Sequence, residues 1–322
     1  MSSYRVGPAG PEVLEIQRRL ARLGFYNGPL DAIFGGATDA GVVAFQRSLG
    51  LDLDGVVGDE TWKALFGTDA APAPAVTRQA LLQRCLALTG AIETGAAPPE
   101  CFAALAGDFD GQGISFGVIK LALGNGSLGE FLRALDADHP TCVDDVFHEN
   151  AAMLRAVARA PIAEQLSWAR SIQQQAHRQL DEPWQGMFRA LGRRPECQAL
   201  QIAVAGKRFQ AAQALCREYG LWSERGVALM FDVVVENGSI GPLVQAQIQR
   251  DYDAMAGLDR DALEVARMQS IARRRAAVCS PASASDVLVR KLTIAEGSGR
   301  IHGRTFDLAE DYGIRLFDVV LT

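Results

Sequence analysis

Apolar residues recur every three or four positions in three short segments before residue 67, and this spacing predicts three amphipathic helices. The first ends near Gly24, the second covers Thr38 to Leu49, and the third opens at Asp59. Their apolar faces are formed by Val13, Ile16, Leu20 and Leu23 in the first helix, and by Val42, Phe45 and Leu49 in the second. Three such helices can enclose a small core of their own.

Helical periodicity also dominates the rest of the chain. A predicted apolar helix runs from Leu81 to Ile92, and long amphipathic stretches follow near 151–180, 198–219, 224–236, 243–256 and 260–277. The fold class predicted from these patterns is mostly α. In the stretch 224–236 and just after it, Asp232, Glu236 and Asn237 are predicted to cap the helix or face solvent, with a role beside a binding cleft as the alternative.

The segment from Gly67 to Val76 alternates Ala and Pro, a composition that favours an extended, semi-rigid spacer without a core. The 322 residues also fit two domains at about 150 residues each. The predicted organisation is therefore a small domain over 1–67, a linker over 68–77 and a large domain over 78–322.

Composition excludes several classes of protein. Hydrophobic residues make up 48% and charged residues 22%, which is ordinary for a globular chain. The net charge of −6 provides no basic footprint for nucleic acid. No apolar stretch is long enough to span a membrane, and the first residues lack the pattern of a Sec signal.

The cysteine and histidine spacings predict no metal site. The six cysteines contain no C-x-x-C pair, and the four histidines contain no H-E-x-x-H pair. Buried or free thiols are the first interpretation of the cysteines, and one or more disulfides remain the alternative.

Candidate chemistry lies between Thr89 and Gly117. Glu93 follows Ile92 at the end of an apolar helical face and precedes a helix stop at Gly95, so its carboxyl is expected at the edge of a core. Partial burial raises the pKa of a carboxyl, which a general acid at neutral pH requires.

A second carboxyl, Asp110, follows in a polar, glycine-rich segment that predicts a turn or short hairpin. There it is expected to be solvated and ionised. Two carboxyls with different environments form the usual acid and base pair of a glycosidase. Ser115 lies a few residues beyond Asp110, close enough to help hold a water molecule.

Three alternatives remain for this segment. The start of a calcium loop is present at Asp108, but the last loop position is Ile119, where a carboxylate is needed. The spacing around Ser115 fits a nucleophile elbow, with Asp232 and His302 in the right chain order, but no buried strand precedes it. Finally, Asp108 could replace Asp110 as the base.

The small domain resembles the type 1 peptidoglycan-binding family over nearly its whole length. The resemblance rests on Ile16 to Leu20, Leu23 to Tyr26, Gly28 to Asp31, Ile33 to Gly35, Ala37-Thr38, Val43 to Gln46, Asp54 to Gly58, Thr61-Trp62 and Ala64-Leu65. Two positions depart from the family, since Ala32 stands where Gly is usual and Gly36 where Pro is common. The resemblance implies binding of cell-wall glycan or stem peptide.

Residues 86–135 resemble the catalytic hairpin of the lysozyme superfamily, in particular chitosanases of glycoside hydrolase family 46 and related phage or effector lysozymes. The resemblance implies a two-lobed α+β domain with a short β-hairpin at its cleft. It assigns Glu93 as general acid, Asp110 as general base and Ser115 as the residue that orients water, with no metal or organic cofactor. It also implies inversion, with the two carboxyls about 6.5–9.5 Å apart.

Together these patterns predict an endo-acting peptidoglycan hydrolase of the muramidase type. A chitosanase and a catalytically silent wall-binding or structural protein are the alternatives. Its substrate lies outside the inner membrane and no Sec signal is visible, so delivery to the periplasm or wall as an endolysin or a secreted antibacterial effector is expected. A Sec leader absent from these residues is the alternative. Secretion machinery, a phage component or an immunity protein are the partners that such routes imply.

Overall fold

The computed structural model describes residues 3–7, 9–108, 111–174 and 179–321. The protein is mostly α-helical, which confirms the predicted fold class. Its α-helices are α1 (Pro11–Arg22), α2 (Gly36–Leu49), α3 (Asp59–Phe66), α4 (Leu81–Thr94), α5 (Ser127–Asp138), α6 (Pro140–Phe147), α7 (Ala151–Arg159), α8 (Ile162–Ser171), α9 (Trp184–Arg193), α10 (Pro195–Glu218), α11 (Glu224–Asn237), α12 (Pro242–Asp253), α13 (Arg260–Ala276), α14 (Pro281–Glu296) and α15 (Leu308–Tyr312).

The strands are short and antiparallel. They are β1 (Leu105–Ala106), β2 (Ser115–Phe116), β3 (Leu121–Ala122), β4 (Gln173–Gln174), β5 (Gln179–Leu180), β6 (Ser298–Ile301) and β7 (Arg304–Asp307). β1, β2 and β3 form one sheet in that order, while β4–β5 and β6–β7 are two-stranded.

The chain divides into two compact units. The first comprises Met1–Ala97 with Arg208–Thr322, and the second is Pro98–Lys207. The first unit therefore contains both the N-terminal helices and the helices from α11 onward. The predicted boundaries at 67 and 78 remain a prediction.

The helices α1, α2 and α3 enclose the predicted small core, in which Ile16, Leu20, Phe34 and Leu65 are fully buried. Two residues predicted on the apolar faces are not in it. Leu23 is 39% exposed and Leu49 is 54% exposed. The reason is position. Leu23 caps α1 and Leu49 is the last residue of α2, so both lie where the chain leaves the core.

A buried amide network fixes the turn that precedes α2. Gln17 Nε2 donates to Asp31 Oδ1 at 2.8 Å, to the Ile33 carbonyl at 3.0 Å and to Thr38 Oγ1 at 3.2 Å. Its Oε1 accepts from the Ala32 N–H at 2.9 Å. The fully buried amide is thus satisfied on both sides, as burial of a polar group requires.

The same network occurs a second time before α3. Gln46 Nε2 donates to Asp54 Oδ1 at 2.8 Å, to the Val56 carbonyl at 3.1 Å and to Thr61 Oγ1 at 3.2 Å. Its Oε1 accepts from the Gly55 N–H at 3.1 Å. The N-terminal helices are therefore built on an internal repeat of helix, turn and buried glutamine.

The Ala/Pro segment lies against these helices. Ala71 is buried, and its N–H donates to Asp59 Oδ1 at 3.0 Å. Tyr4 Oη donates to the Pro72 carbonyl at 2.6 Å. The expectation that this segment takes no part in a core is wrong at Ala71. Its side chain is a single methyl group, which is small enough to pack into the buried cluster formed by the N-terminal helices.

Two further differences from the predicted helices bear on the site. The stretch 151–180 is divided into α7, α8 and the β4–β5 hairpin, because Pro161 cannot continue α7. The helix α14 was not predicted, although Ile294 and Ala295 on it are buried in the first unit.

Candidate active site

The helix α4 presents Glu93 in its last turn. Cys85, Leu88 and Ile92 are buried along the helix, and Gly95 ends it in the left-handed conformation with φ 74°. The Glu93 side chain is only 10% exposed. The predicted position of this carboxyl at the edge of a core thus agrees with the structure, while its catalytic role stays a prediction.

Glu93 contacts a basic side chain that the sequence analysis did not include. Its Oε1 pairs with Nη1 of Arg290, which comes from α14 and is 6% exposed. Arg290 Nε in turn donates to Asp232 Oδ1 on α11 at 2.5 Å. Lys291 Nζ donates to the other oxygen of Asp232 at 2.5 Å. Glu236 Oε2 lies 3.8 Å from Arg290 Nη1.

These five residues, Glu93, Asp232, Glu236, Arg290 and Lys291, are named the Arg290 cluster below. Three carboxyl groups face two cationic groups, so the cluster balances most of its own charge. Burial lowers the pKa of the Arg290 guanidinium, and the surrounding carboxylates favour its charged form. Burial also lowers the pKa of Arg208, and Glu236 opposes that shift.

Asp232 was predicted to cap a helix or face solvent, and both interpretations are wrong. Asp232 is 2% exposed and bridges Arg290 and Lys291. A buried carboxylate persists only when cations compensate it, and those cations lie on a helix far away in the sequence. Glu236 is also turned into the cluster, with a 19% exposed side chain. The Asn237 side chain lies outside the described part of the structure.

The second candidate region lies in the second unit, in the β1–β2 connection. The Asp108 N–H donates to Gln173 Oε1 at 2.8 Å, and Asp108 Oδ1 accepts from the Gly111 N–H at 2.6 Å. Asp110 falls outside the described residues. Ser115 begins β2, where it pairs with Ala106 on β1 and Ala122 on β3.

The predicted site residues therefore belong to different parts of the chain. Glu93 is in the first unit, together with the Arg290 cluster, and Ser115 is in the second. The roles of Glu93, Asp110 and Ser115 remain proposals.

The structure does not support the nucleophile-elbow alternative, in which Asp232 and His302 would be the partners of Ser115. Asp232 is bound by Arg290 and Lys291, whereas His302 Nε2 lies 2.6 Å from Asp286 Oδ1. Ser115 sits in a strand that leads to β3 rather than to a helix, which the elbow requires.

The residues that the structure describes give little support for a metal site or a reactive thiol. No group of three or more His, Cys, Asp or Glu side chains there is arranged to hold a metal ion. The six cysteines, all within those ranges, are free thiols and five are buried. Burial raises the pKa of Cys101 and Cys197 to about 12, so neither is a ready nucleophile.

No helix in the described part of the chain combines the length and apolar character that a membrane crossing needs.

Comparison with known protein families identifies the N-terminal helices. Residues 9–65 match the family described as "Putative peptidoglycan binding domain". This confirms the resemblance drawn from the motifs of that region. The matched residues span α1, α2 and most of α3, together with both glutamine networks.

Curated relatives match a similarly short part of this chain. A spore cortex-lytic enzyme of Oceanobacillus iheyensis is 44% identical over 55 residues, or 17% of this chain and 20% of that protein. The N-acetylmuramoyl-L-alanine amidase CwlM of Mycobacterium tuberculosis is 42% identical over 76 residues, or 20% of this chain and 19% of that protein. The chain thus spans about a fifth of the length of these relatives.

Solved structures similar to this chain include chitosanases. A glycoside hydrolase family 46 chitosanase of Gynuella sunshinyii in complex with chitotetraose has 16% identity and a TM-score of 0.49, with 73% of this chain and 98% of that chain covered. A native chitosanase of Bacillus subtilis has 17% identity and a TM-score of 0.48, with 72% and 97% covered. Both likenesses are weak, and nothing about activity or site residues follows from them.

Proposed function

We propose that this protein is a cell-wall glycan hydrolase that cleaves internal β-1,4 bonds of peptidoglycan, as a muramidase does. The observation that carries the proposal is the Glu93 carboxyl, mostly buried at the end of α4 and fixed by Arg290. A pre-positioned carboxyl at the edge of a core is the usual setting of a glycosidase acid. The peptidoglycan-binding domain at residues 9–65 supports the choice of substrate.

Three residues carry the proposed reaction. Glu93 gives its proton to the glycosidic oxygen as the bond from that oxygen to the sugar C1 breaks. A water molecule bonds to C1, and Asp110 takes the proton that this water loses, while Ser115 helps to orient it. Attack from the face opposite the leaving group inverts the configuration at C1.

Arg290 is proposed as a positioning residue for Glu93. A lone guanidinium beside a carboxyl would hold it ionised and unable to donate a proton. Here, however, Asp232 accepts from Arg290 and from Lys291, and Glu236 lies on the same side as Glu93. Because these carboxylates already compensate much of the cationic charge, Arg290 can fix the rotamer of Glu93 without committing it to the anion.

The cell wall is favoured over chitosan as the substrate. The matched domain is a peptidoglycan-binding one, and two curated relatives of the chain are named spore cortex-lytic enzyme and N-acetylmuramoyl-L-alanine amidase. Action on the wall further implies delivery outside the inner membrane.

The test is digestion of purified peptidoglycan and, separately, of chitosan. Products are reduced with borohydride and identified by mass spectrometry. Reduced muramic acid ends are expected from peptidoglycan with the wild-type protein. Loss of the acid typically lowers the rate about 10²–10⁴-fold, so Glu93→Gln should lose nearly all product. The exposed Glu149 provides the matched control, since Glu149→Gln removes the same charge from a surface position of the second unit.

Each alternative has its own outcome. Reduced glucosamine ends from chitosan, with peptidoglycan intact, would make the protein a chitosanase. If neither polymer is cut while the protein still binds walls, the enzyme proposal is wrong. Inversion is tested by proton NMR of the first product from a soluble oligosaccharide, in which the α-anomer should appear first.

The identity of the base is tested by two adjacent substitutions. Asp110→Asn should abolish turnover. Asp108→Asn should retain most of it, because an amide oxygen can still accept from the Gly111 N–H as the carboxylate does. The reverse result would make Asp108 the base.

A further inference from the structure

A surface cavity of about 320 Å³ lies in the first unit, outside the Arg290 cluster. It is bounded by the end of α10, one face of α12 and part of α13. Polar side chains form its rim, namely Glu218, Gln245, Gln249, Asp253 and Arg267.

The rim is organised as paired planar groups. Gln245 Nε2 donates to Glu218 Oε1 at 2.7 Å, and Gln249 Nε2 donates to Asp253 Oδ1 at 2.9 Å. Each of these bonds uses only part of what an amide and a carboxylate can donate and accept. Gln245 and Gln249 are one helical turn apart on α12, so the two glutamine side chains are neighbours on one face of that helix.

The floor is aromatic and apolar. Tyr219 and Ile248 are buried beneath the rim, and Tyr252 lies half-buried beside them. The Arg267 guanidinium lies over the Tyr252 ring, 5.2 Å from its centre, and donates to the Gly220 carbonyl at 2.8 Å.

Two polar atoms in the cavity wall lack a partner. Within the described residues, Tyr252 Oη and Arg267 Nε are buried without a hydrogen bond. Buried polar atoms in proteins are nearly always satisfied, by protein, water or a ligand. A ligand that brings hydroxyl groups into this cavity would supply both a donor and an acceptor.

The chemistry of the lining selects the class of ligand. Two carboxylates against one guanidinium leave the rim net negative, which disfavours phosphates and other anions. Planar amide, carboxylate and guanidinium groups bind two neighbouring polar atoms at once, as adjacent hydroxyls of a sugar ring present them. The volume is at the small end for ligand sites, so it suits a short segment of a polymer.

We propose that this cavity, named the α12 pocket, is a saccharide subsite that holds one or two sugar units of a glycan. It gives the substrate a second attachment on the first unit, separate from the Arg290 cluster. The proposal rests on the proposed function in one respect, namely that the polymer is a cell-wall glycan.

The test uses the intact protein with labelled isoleucine δ1 methyl groups. Ile248 lies in the floor of the pocket and serves as the reporter, assigned through Ile248→Val. The protein, in its wild-type and Glu93→Gln forms, is titrated with the N-acetylglucosamine tetramer and with the tetrasaccharide of alternating N-acetylglucosamine and N-acetylmuramic acid. A saturable shift of the Ile248 methyl is expected with at least one of them.

Variants on α12 separate binding from structure. The double substitution Gln245→Ala with Gln249→Ala removes two polar contacts and should weaken binding about tenfold or more. Gln247→Ala is the matched control, because Gln247 lies on the same helix but does not line the pocket. Its binding should equal that of the wild type.

The outcomes also distinguish this proposal from the proposed function. If the glycan polymers are cut but the Ile248 methyl does not move, or the double variant binds as the wild type does, the α12 pocket is not a saccharide site and the enzyme proposal stands. If the Ile248 methyl moves as expected while no polymer is cut, the pocket stands and the enzyme proposal is wrong.

Discussion

The N-terminal helices and the Arg290 cluster bury polar groups in opposite ways. In the former, neutral amides of Gln17 and Gln46 bind partners that follow within 21 residues along the chain. In the latter, charged groups from α4, α11 and α14 meet, and even Arg290 and Asp232 are 58 residues apart. One region is locally encoded and neutral, while the other is assembled from distant elements and ionic.

The difference has an energetic meaning. A satisfied neutral amide costs little to bury, and its loss leaves one or two groups unpaired. A buried charge is expensive unless its counter-charge is present, so an ionic cluster is sensitive to the removal of any member. Such sensitivity is tolerated where a carboxyl must be held in one position, as we propose for Glu93.

The largest effect is expected from Asp232→Ala. It would leave Arg290 and Lys291 buried without their shared anion, at a cost of about 3–5 kcal/mol in the free energy of unfolding. Urea denaturation followed by circular dichroism measures this cost.

Asp232→Asn separates charge from shape, because the amide fills the same space. We expect a smaller but still large loss of stability from it. The exposed Asp261 on α13 is the control, and Asp261→Ala should change the midpoint very little. If Asp232→Ala were equally mild, the cluster would not depend on charge balance.

The next effect depends on pH. Asp311 on α15 is buried and pairs with Arg5, whose Nη2 lies 3.3 Å from Asp311 Oδ2. Burial raises the pKa of Asp311 from 3.8 to about 7, and Arg5 opposes the shift only in part. Between pH 4 and 7 the unfolded chain therefore releases a proton that the folded protein retains. The contribution of Asp311 to the free energy of unfolding is therefore complete below pH 4, and it is lost as the pH rises to 7.

Asp311→Asn removes this pH dependence. Its stability relative to the wild type should increase as pH rises from 4 to 7, by up to about 4 kcal/mol. Thermal unfolding across that range provides the measurement. The exposed Asp138 is the control, since Asp138→Asn should leave the shape of the curve unchanged. A constant difference between Asp311→Asn and wild type would contradict the expectation.

A smaller effect is expected in the neutral networks. Gln46→Leu leaves the buried Gly55 N–H without its acceptor, at a cost of about 1–3 kcal/mol. Gln17→Leu should cost a similar amount through the Ala32 N–H. Because the two networks share no partner, the double variant should show the sum of the single costs in urea denaturation. A strongly non-additive result would mean that the two halves of the repeat are coupled.

The same contrast explains what the sequence could predict. The three N-terminal helices and their turns were predicted because the residues that determine them are close together and form motifs. The repeat is also visible in the sequence, where Asp31 to Gly35 and Asp54 to Gly58 follow one pattern, but it was not part of the prediction.

The Arg290 cluster could be predicted only at Glu93. Adjacent Arg290 and Lys291 in α14 look like a solvated basic pair, and the anions that neutralise them come from other helices. One signal was available: Asp232 and the Arg290-Lys291 pair each interrupt an otherwise apolar run. Opposite charges in two such runs indicate a buried ion pair better than either does alone.

The smallest effects are expected at Gly36 and Ala32, the two positions where the sequence departs from the peptidoglycan-binding family. Gly36 is the first residue of α2, where proline is favoured, and no heavy atom lies within 4 Å of an added Cβ. The preceding Gly35 is already extended, as a residue before proline must be. Gly36→Pro should therefore stabilise the protein by about 0.4–1 kcal/mol, by restricting the unfolded chain.

Ala32 provides the companion test. It has φ 60°, a left-handed conformation in which glycine is less strained than alanine, and the equivalent position in the second half of the repeat is Gly55 at φ 69°. Ala32→Gly should be neutral or stabilising by less than about 1 kcal/mol, because relief of strain and the added flexibility of the unfolded chain oppose each other. The reverse change, Gly55→Ala, should destabilise, since its Cβ would meet the Asp39 carboxylate as well as adopt the strained conformation. Equal and opposite effects at the two sites would show that backbone strain alone distinguishes them, whereas a larger loss at Gly55 would assign the excess to its contact with Asp39.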